Sequence, residues 1–415
     1  MLGLGAEHSS TKHNSFPLTV YQLTRIRAVN WDEPDRRLEW YHNASSILQA
    51  GPCVRSNQLD FDEEVMFKST RYLYAAARRP ETARPFCLTV SLTHPHDPYT
   101  IHQEYWDRYE GKDIPLPEIN IPSDEQDEHS KRLLQVCGLW DEDMPEEAIK
   151  RARRAYFGAM SYVDDNVGKL MHVLKECGMD EDTIIIFSAD HGDMLGERGL
   201  WYVSLTALRA GAPKSQYMLV LVKTLKLIFD RYKMSFHEAS ARVPLLVSYP
   251  RLFDPMTVNQ SVSNIDILPT LVDMVNGRLD TRLPMDGNSL LPYLHGYPPV
   301  DDSVYGEYCG EGTIAPLMMI RRGAWKLIVC PTDPPQLFNL HSDPKELFNM
   351  ATSSNPQTQA VFTAFMREAH ERWDFKAIYA EVLKSQRTRR VCWDALKQGR
   401  FESWDYTPNE KATNQ

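Results

Sequence analysis

The stretch Thr183–Tyr202, TIIIFSADHGDMLGERGLWY, constrains the possible folds of this chain more than any other. It opens as a β-branched run, Thr183-Ile184-Ile185-Ile186-Phe187, the composition of a strand buried on both faces. The run breaks into Ser188-Ala189-Asp190-His191-Gly192-Asp193, which sets an acid, an imidazole and a permissive glycine at the strand's end. In open α/β sheets, ligands gather beyond the carboxyl ends of the strands. Asp190 and His191 offer an oxygen and a nitrogen to a divalent metal. A plain polar turn after a core strand is the competing reading, and spacing alone does not separate the two.

The surrounding chain repeats the pattern. Arg151–Cys177 carries Tyr156, Met160, Val163, Val167, Leu170 and Leu174 at helical spacing, and Gly178 is placed to end it. This helix leads directly into the Thr183 strand, the α-then-β alternation of a parallel sheet. Phe86–Leu92 is a second apolar run, and it ends in Thr93-His94-Pro95-His96-Asp97-Pro98-Tyr99. His94 and His96 at a strand terminus can hold an anion or metal or carry protons, or can be exposed histidines on a proline-stiffened loop. Val243–Ser248 reads as a third buried strand, and Phe61–Arg78 and Asp266–Val275 read as helices. Beyond Asn288 the strands shorten. Leu317–Ile320 and Trp325–Cys330 flank a hairpin turn at Arg321-Arg322-Gly323-Ala324, and Thr358–Trp373 and Asp374–Gln398 follow as helices. The expected fold is α/β, a mostly parallel sheet flanked by helices, with a smaller α+β C-terminal subdomain.

The charge balance narrows the partners. A formal net charge of −10 argues against a nucleic-acid surface or an anionic membrane. It does not exclude a local anion site, because a metal and a few basic groups decide the field there. No apolar run reaches transmembrane length. The seven cysteines are scattered and never form CxxC, so neither a disulfide framework nor a zinc knuckle is expected. A reducing, cytoplasmic setting fits this usage and an N-terminus without the charged start and apolar core of a signal peptide.

Taken together, the turns place His94, His96, Asp190, His191 and Lys233 at one end of one sheet. Cations so grouped suit a tetrahedral oxyanion such as phosphate or sulfate, offsetting the ester's charge and that developing on the leaving oxygen. Here the residues carry a resemblance. VNWDEPDRRLEWYHNASS, NQLDFDEEV, RPFCLTVSLTHPHDPY, YVDDNVGKL, SADHGDMLGERGLWY, KMSFHEASARVPLLV and GEYCGEGTIAPLMMIRRGAWKLI resemble choline sulfatases, within the alkaline-phosphatase-like superfamily. RWDF and RFESWDYTP resemble the choline-sulfatase C-terminal extension. The resemblance runs from about Val29 to Pro408.

The resemblance implies hydrolysis of a sulfate ester, choline O-sulfate, to choline and sulfate, in a homo-oligomer built through the C-terminal extension. It implies that Asp190 and His191 are metal ligands, usually for calcium. It also implies that His96, more than His94, faces the ester and that Lys233 contacts sulfate. Choline is a quaternary ammonium and calls for aromatic faces and carboxylates. Cys309, Glu311, Trp404 and Asp405 are the candidates to hold it. The implied organisation is a non-matching segment 1–28, an incomplete α/β domain 29–287 and a C-terminal subdomain 288–415.

Two departures accompany the match. Sulfatases use a cysteine or serine in C/S-x-P-x-R, oxidised to formylglycine, as nucleophile; Cys53-Val54-Arg55 comes nearest and lacks the proline. The upstream pair of metal acids is also missing, so the chain is expected to begin after both. The second departure is residues 203–232, which separate GLWY from KMSF. Codons for Trp201-Tyr202-Val203 can spell G-GTATGT, and those for Asp230-Arg231-Tyr232 can spell ACAG-G, the borders of an intron. A translated intron and a genuine lid insertion both stand, since loop length itself costs only about 1 kcal/mol. Two other functions also stand: a non-catalytic remnant that binds choline or oligomerises, and a phosphodiesterase or phosphonate hydrolase of the same superfamily.

Overall fold

The computed structural model describes residues 31–32, 45–80, 84–140, 143–201, 234–275, 277, 285–297, 302–310 and 312–398. Segment 1–28, the 203–232 insertion, Lys233, Glu311, Trp404 and Asp405 lie outside the described residues. In chain order the elements are α1 (Ser45–Leu48), β1 (Gly51–Pro52), α2 (Asn57–Ala77), β2 (Thr100–Ile101), α3 (Gln103–Asp107), α4 (Glu128–Val136) and α5 (Glu146–Glu176). There follow β3 (Ile185–Ser188), α6 (Glu238–Ala241), β4 (Leu245–Ser248), α7 (Ile267–Met274) and α8 (Leu291–Leu294). The chain closes with β5 (Ser303–Tyr308), β6 (Leu317–Arg322), β7 (Trp325–Val329), β8 (Gln336–Asn339), α9 (Pro356–Arg372) and α10 (Phe375–Lys397).

Helix α5 is the spine. Its buried face begins with Ala148, Ala152, Ala155 and Ala159, residues small enough to let neighbours approach the backbone. At Gly158 a Cβ would come 3.1 Å from the Tyr105 carbonyl oxygen, so α3 crosses close there. The first turns of α5 join a core with Leu133, Leu134, Met194 and Trp201. Its middle packs with Leu59, Ile101 and Tyr105, and its end with Leu73, Phe86, Leu88 and Ile185. Gly178, at φ +66°, closes the helix, and the Met179 amide reaches back to the Leu174 carbonyl. Helix α2 starts earlier than its apolar periodicity predicts, because the Ser56 side chain caps the Leu59 amide.

The strand pairing differs from the expected mostly parallel sheet. Among the described residues the parallel ladder is the two-residue β1–β2 pair. β3 and β4 pair antiparallel, Ile185 opposite Ser248 through Ser188 opposite Leu245. Phe86–Leu92 forms no ladder; its even-numbered residues are half-buried and its odd-numbered ones exposed. β3 is half-buried throughout, and Leu246 on β4 is 62% exposed. Phe86–Leu92 and β4 are thus packed on one face and open on the other, whereas β3 is half-buried on both.

The third sheet, β5-β6-β7-β8, is antiparallel throughout. Its hairpin is tighter than expected: pairing continues to Arg322 opposite Trp325, and Gly323 takes the left-handed conformation, φ +54°. Its strands alternate between two cores. Leu317, Met319, Ile328 and Cys330 face the α5 core, while Met318, Ile320, Leu327 and Val329 pack under α9 with Phe365, Ala369 and Trp373. The α5 core thus takes side chains from both sides of residue 288. Leu337→Ala, at a fully buried position of the α9 core, is expected to lower stability by about 2–5 kcal/mol in chemical denaturation.

Candidate active site

Two loops meet where β3 and the Phe86–Leu92 run end. In the first, the buried Asp62 carboxylate of α2 accepts the Thr93 amide at 2.6 Å and the His94 amide at 3.0 Å. The same carboxylate lies 2.7 Å from His94 Nδ1, and His94 Nε2 lies 3.2 Å from the Thr100 carbonyl oxygen. Both ring nitrogens of His94 are thus engaged in holding the loop, with its side chain 1% exposed. His96 projects differently. Its Nδ1 donates to the Asp97 carbonyl at 2.7 Å and lies 2.9 Å from Asp97 Oδ1, so Nε2, on the far side of the ring, is turned away from both.

The second loop begins at Ser188, whose hydroxyl donates to Asn264 Oδ1, while Asn264 Nδ2 donates to the Ala189 carbonyl. The Asp190 side chain is 58% exposed and accepts the His191 amide at 3.1 Å. His191 Nδ1 donates to the Gly192 carbonyl at 2.7 Å, so its Nε2 points away from the backbone, 3.8 Å from Asp190 Oδ2. The His96 and His191 ring centroids are 6.5 Å apart. The Tyr99 hydroxyl donates to the Asp193 carboxylate at 3.2 Å and so ties the loops together. Burial, and then Asp193, push the Tyr99 pKa far up, so it stays a donor.

Gly192 is the fixed point of the second loop. Its amide donates to the Ser240 carbonyl at 2.8 Å, and a Cβ would sit 2.1 Å from the Ala239 carbonyl oxygen. Only glycine fits there.

The structure therefore brings His96, Asp190 and His191 together and gives His94 to the scaffold. Cys309 packs with Trp31, Val136, Tyr379 and Leu383. Burial, then Glu307, raises its thiol pKa to about 11, which keeps it protonated at neutral pH. Among the described residues no three His, Cys, Asp or Glu side chains are grouped as a metal would require. Asp190 and His191 alone give one carboxylate and one imidazole, short of the six to eight oxygens calcium takes. Sequence reasoning missed Asp62, Tyr99, Asn264 and the glycine contact. Asp62, Tyr99 and Gly192 lie in segments that carry the resemblance, and Asp193 is the second acid of Asp190-His191-Gly192-Asp193, but nothing in the sequence gave these residues their partners.

Behind the Gly192 contact lies a buried charged cluster. His237 is 3.5 Å from Asp127 Oδ2 and 3.4 Å from Glu346 Oε2. Burial opposes its charge, but the two carboxylates outweigh burial and raise its pKa. Burial likewise opposes ionisation of Glu346, yet His237 and Lys326 hold its pKa down at about 2. A cavity of about 200 Å³, lined by Met194, Glu197, Arg198, His237, Glu238 and Glu346, reaches the cluster.

These two groups confine maximal stability to a pH window. Stabilisation from His237 is complete below its ordinary value of 6.5 and is lost as pH rises through the raised folded pKa. Stabilisation from Glu346 is complete above its ordinary 4.5 and is lost as pH falls toward 2. Thermal melting across pH is expected to show highest stability between about 4.5 and 6.5, and His237→Asn should flatten the alkaline fall.

Comparison with known proteins assigns the family. Residues 17–277 match the sulfatase family profile, 227–372 that of the N-sulphoglucosamine sulphohydrolase C-terminal region, and 380–415 that of the choline sulfatase enzyme C terminus. The chain is 41% identical over 392 residues to the choline-sulfatase of Rhizobium meliloti (strain 1021), covering 92% of this chain and 70% of that one. It is 27% identical over 288 residues to an arylsulfatase of Clostridium perfringens (strain 13 / Type A), covering 66% of this chain and 51% of that protein. Among solved structures, the phosphonate monoester hydrolase of Agrobacterium radiobacter superposes with a TM-score of 0.56 at 22% identity, over 76% of this chain and 60% of that one. The enzyme of that name from Silicibacter pomeroyi gives 0.56 at 23% identity, over 74% and 59%. At such identities these structures establish the alkaline-phosphatase-like α/β fold and nothing finer. Together with the profile match over residues 17–277, the likeness to the Rhizobium enzyme makes this chain a member of the sulfatase family.

Proposed function

We propose that this polypeptide belongs to a sulfuric ester hydrolase acting on choline O-sulfate, with water, to give choline and sulfate. The observation that carries the substrate is the choline-sulfatase C-terminal match over residues 380–415, joined to 41% identity with a choline-sulfatase. The same match disfavours the phosphodiesterase and phosphonate hydrolase readings, which share only the fold.

The roles follow from chemistry. His96, with Nδ1 committed to the Asp97 carbonyl, would use Nε2 to move a proton at the ester's bridging oxygen. His191, similarly fixed through Nδ1, would face the sulfate beside Asp190. Lys233 would offset the sulfate charge. Sulfatases of this family generally bind a divalent metal, and calcium is the ion proposed here. Asp190 and His191 would hold part of it, and its charge would stabilise the developing oxyanion. Cys309, Glu311, Trp404 and Asp405 remain proposed choline contacts, Cys309 as a neutral packing group.

The 415-residue sequence contains no C/S-x-P-x-R motif. That favours a second reading, a non-catalytic sulfatase chain that binds choline or assembles through its C-terminal region. The free cysteines support a reducing, cytoplasmic location, and among the described residues no helix is long and apolar enough to cross a membrane. We also propose the division at residues 28 and 287, with 203–232 a translated intron. Sequencing the transcript checks this: the dominant message is expected to lack those codons, and one retaining them favours a lid insertion.

The 415-residue chain, purified and supplied with choline sulfate and calcium, is expected to release no sulfate above background by ion chromatography. Choline titrated into the same sample is expected to bind. Turnover at the rate of a complete choline-sulfatase would show that the motif is dispensable, and absence of choline binding would remove the substrate assignment.

A further inference from the structure

We propose that Lys326, on the antiparallel sheet, is a positioning residue for the Asp190–His191 loop, acting through Glu238, Glu346 and helix α6. The proposal rests on the reading of that loop as part of the sulfatase site.

Lys326 is fully buried, and its amine lies 2.8 Å from Glu238 Oε1 and 2.8 Å from Glu346 Oε1. Burying such a charge is expensive, and a well-packed apolar side chain would often hold a sheet on its core equally well. What the amine adds is a fixed position for two carboxylates. Glu346 uses its other oxygen to accept the Glu238 amide at 2.7 Å, and Glu238 uses its other oxygen to take Arg321 at 3.3 Å. The first residue of α6 is therefore clamped through its backbone and its side chain. Arg198 donates to the Glu346 carbonyl and holds that residue from the opposite side.

Helix α6 is a single turn of four residues, too short to hold its own geometry without tertiary support. Its other end receives the Gly192 amide on the Ser240 carbonyl and presses the Ala239 carbonyl against the Gly192 Cα. The Gly192 carbonyl in turn accepts a hydrogen bond from His191 Nδ1. The path from Lys326 to the imidazole is thus contiguous: amine, paired carboxylates, one helical turn, one peptide plane, ring. Lys326 touches neither Asp190 nor His191, and a change there reaches them only along this path.

The test uses the full chain and needs neither substrate nor metal, so it stands apart from the choline-sulfatase assignment. Lys326→Met is compared with Leu337→Ala, which weakens the other face of the same sheet without touching the path. Deuterium exchange in the peptide spanning Gly192 and the ¹⁵N spectrum of labelled histidines are recorded below each variant's melting transition. Lys326→Met is expected to speed exchange at Gly192 at least tenfold and to shift His191 toward the Nε2–H tautomer. Leu337→Ala is expected to leave both within twofold of the parent. Lys326→Arg, which keeps a cation between the carboxylates, is expected to restore part of the protection. Parent-like exchange and tautomer in Lys326→Met would overturn the proposal, as would equal changes in Leu337→Ala. Should Lys326→Met fail to fold, Glu238→Gln carries the same comparison with the same two outcomes.

Discussion

The close packing permitted by the small residues of α5 is the constraint on which the other elements depend. Ala148, Ala152, Ala155 and Ala159 hold one helix against two successive apolar clusters. Larger side chains there would push apart α3, α4 and the segments that carry His96 and His191. Both loops descend from runs packed against this helix or its partner α2, since Ile185 and Phe86 share one cluster and Phe187 and Leu92 another. The separation of the two imidazoles is thus set by helix packing well away from either ring.

Much of this was legible in the sequence, and what was not has a physical reason. The helix at Arg151–Cys177, the β6–β7 hairpin and the turn after Ile185–Ser188 announce themselves through periodicity, a left-handed glycine and a polar break. Pairing direction did not. Apolar β-branched runs show that a strand is buried but not which neighbour it meets, and β3 meets β4 antiparallel. The site divides in the same way. His94 and His96 are two residues apart and chemically identical on paper. Asp62, distant in sequence and given no role when its segment was matched, claims one of them for the scaffold.

The same limit explains the missed support. A buried carboxylate such as Glu346, or a lysine with no exposure such as Lys326, looks like an ordinary surface residue in a charged stretch. Only tertiary contact shows that its partners are Glu238 and His237. Asp190 and His191 were readable because their type and position beyond a strand carry the signal. The contacts that aim them come from residues about fifty and more than a hundred positions later.

The alternation of β6 and β7 between two cores has a consequence for how the sheet finds its register. Because successive side chains serve opposite faces, a slip of one residue would exchange the two apolar sets, which are similar enough in size for either arrangement to bury them. Lys326 breaks that near-equivalence. Slipped by one, its amine would enter the cluster of Leu327, Phe365 and Trp373, where no carboxylate awaits it, while Glu238 and Glu346 would face hydrocarbon. A single charged side chain thereby distinguishes the native alignment from its nearest competitor.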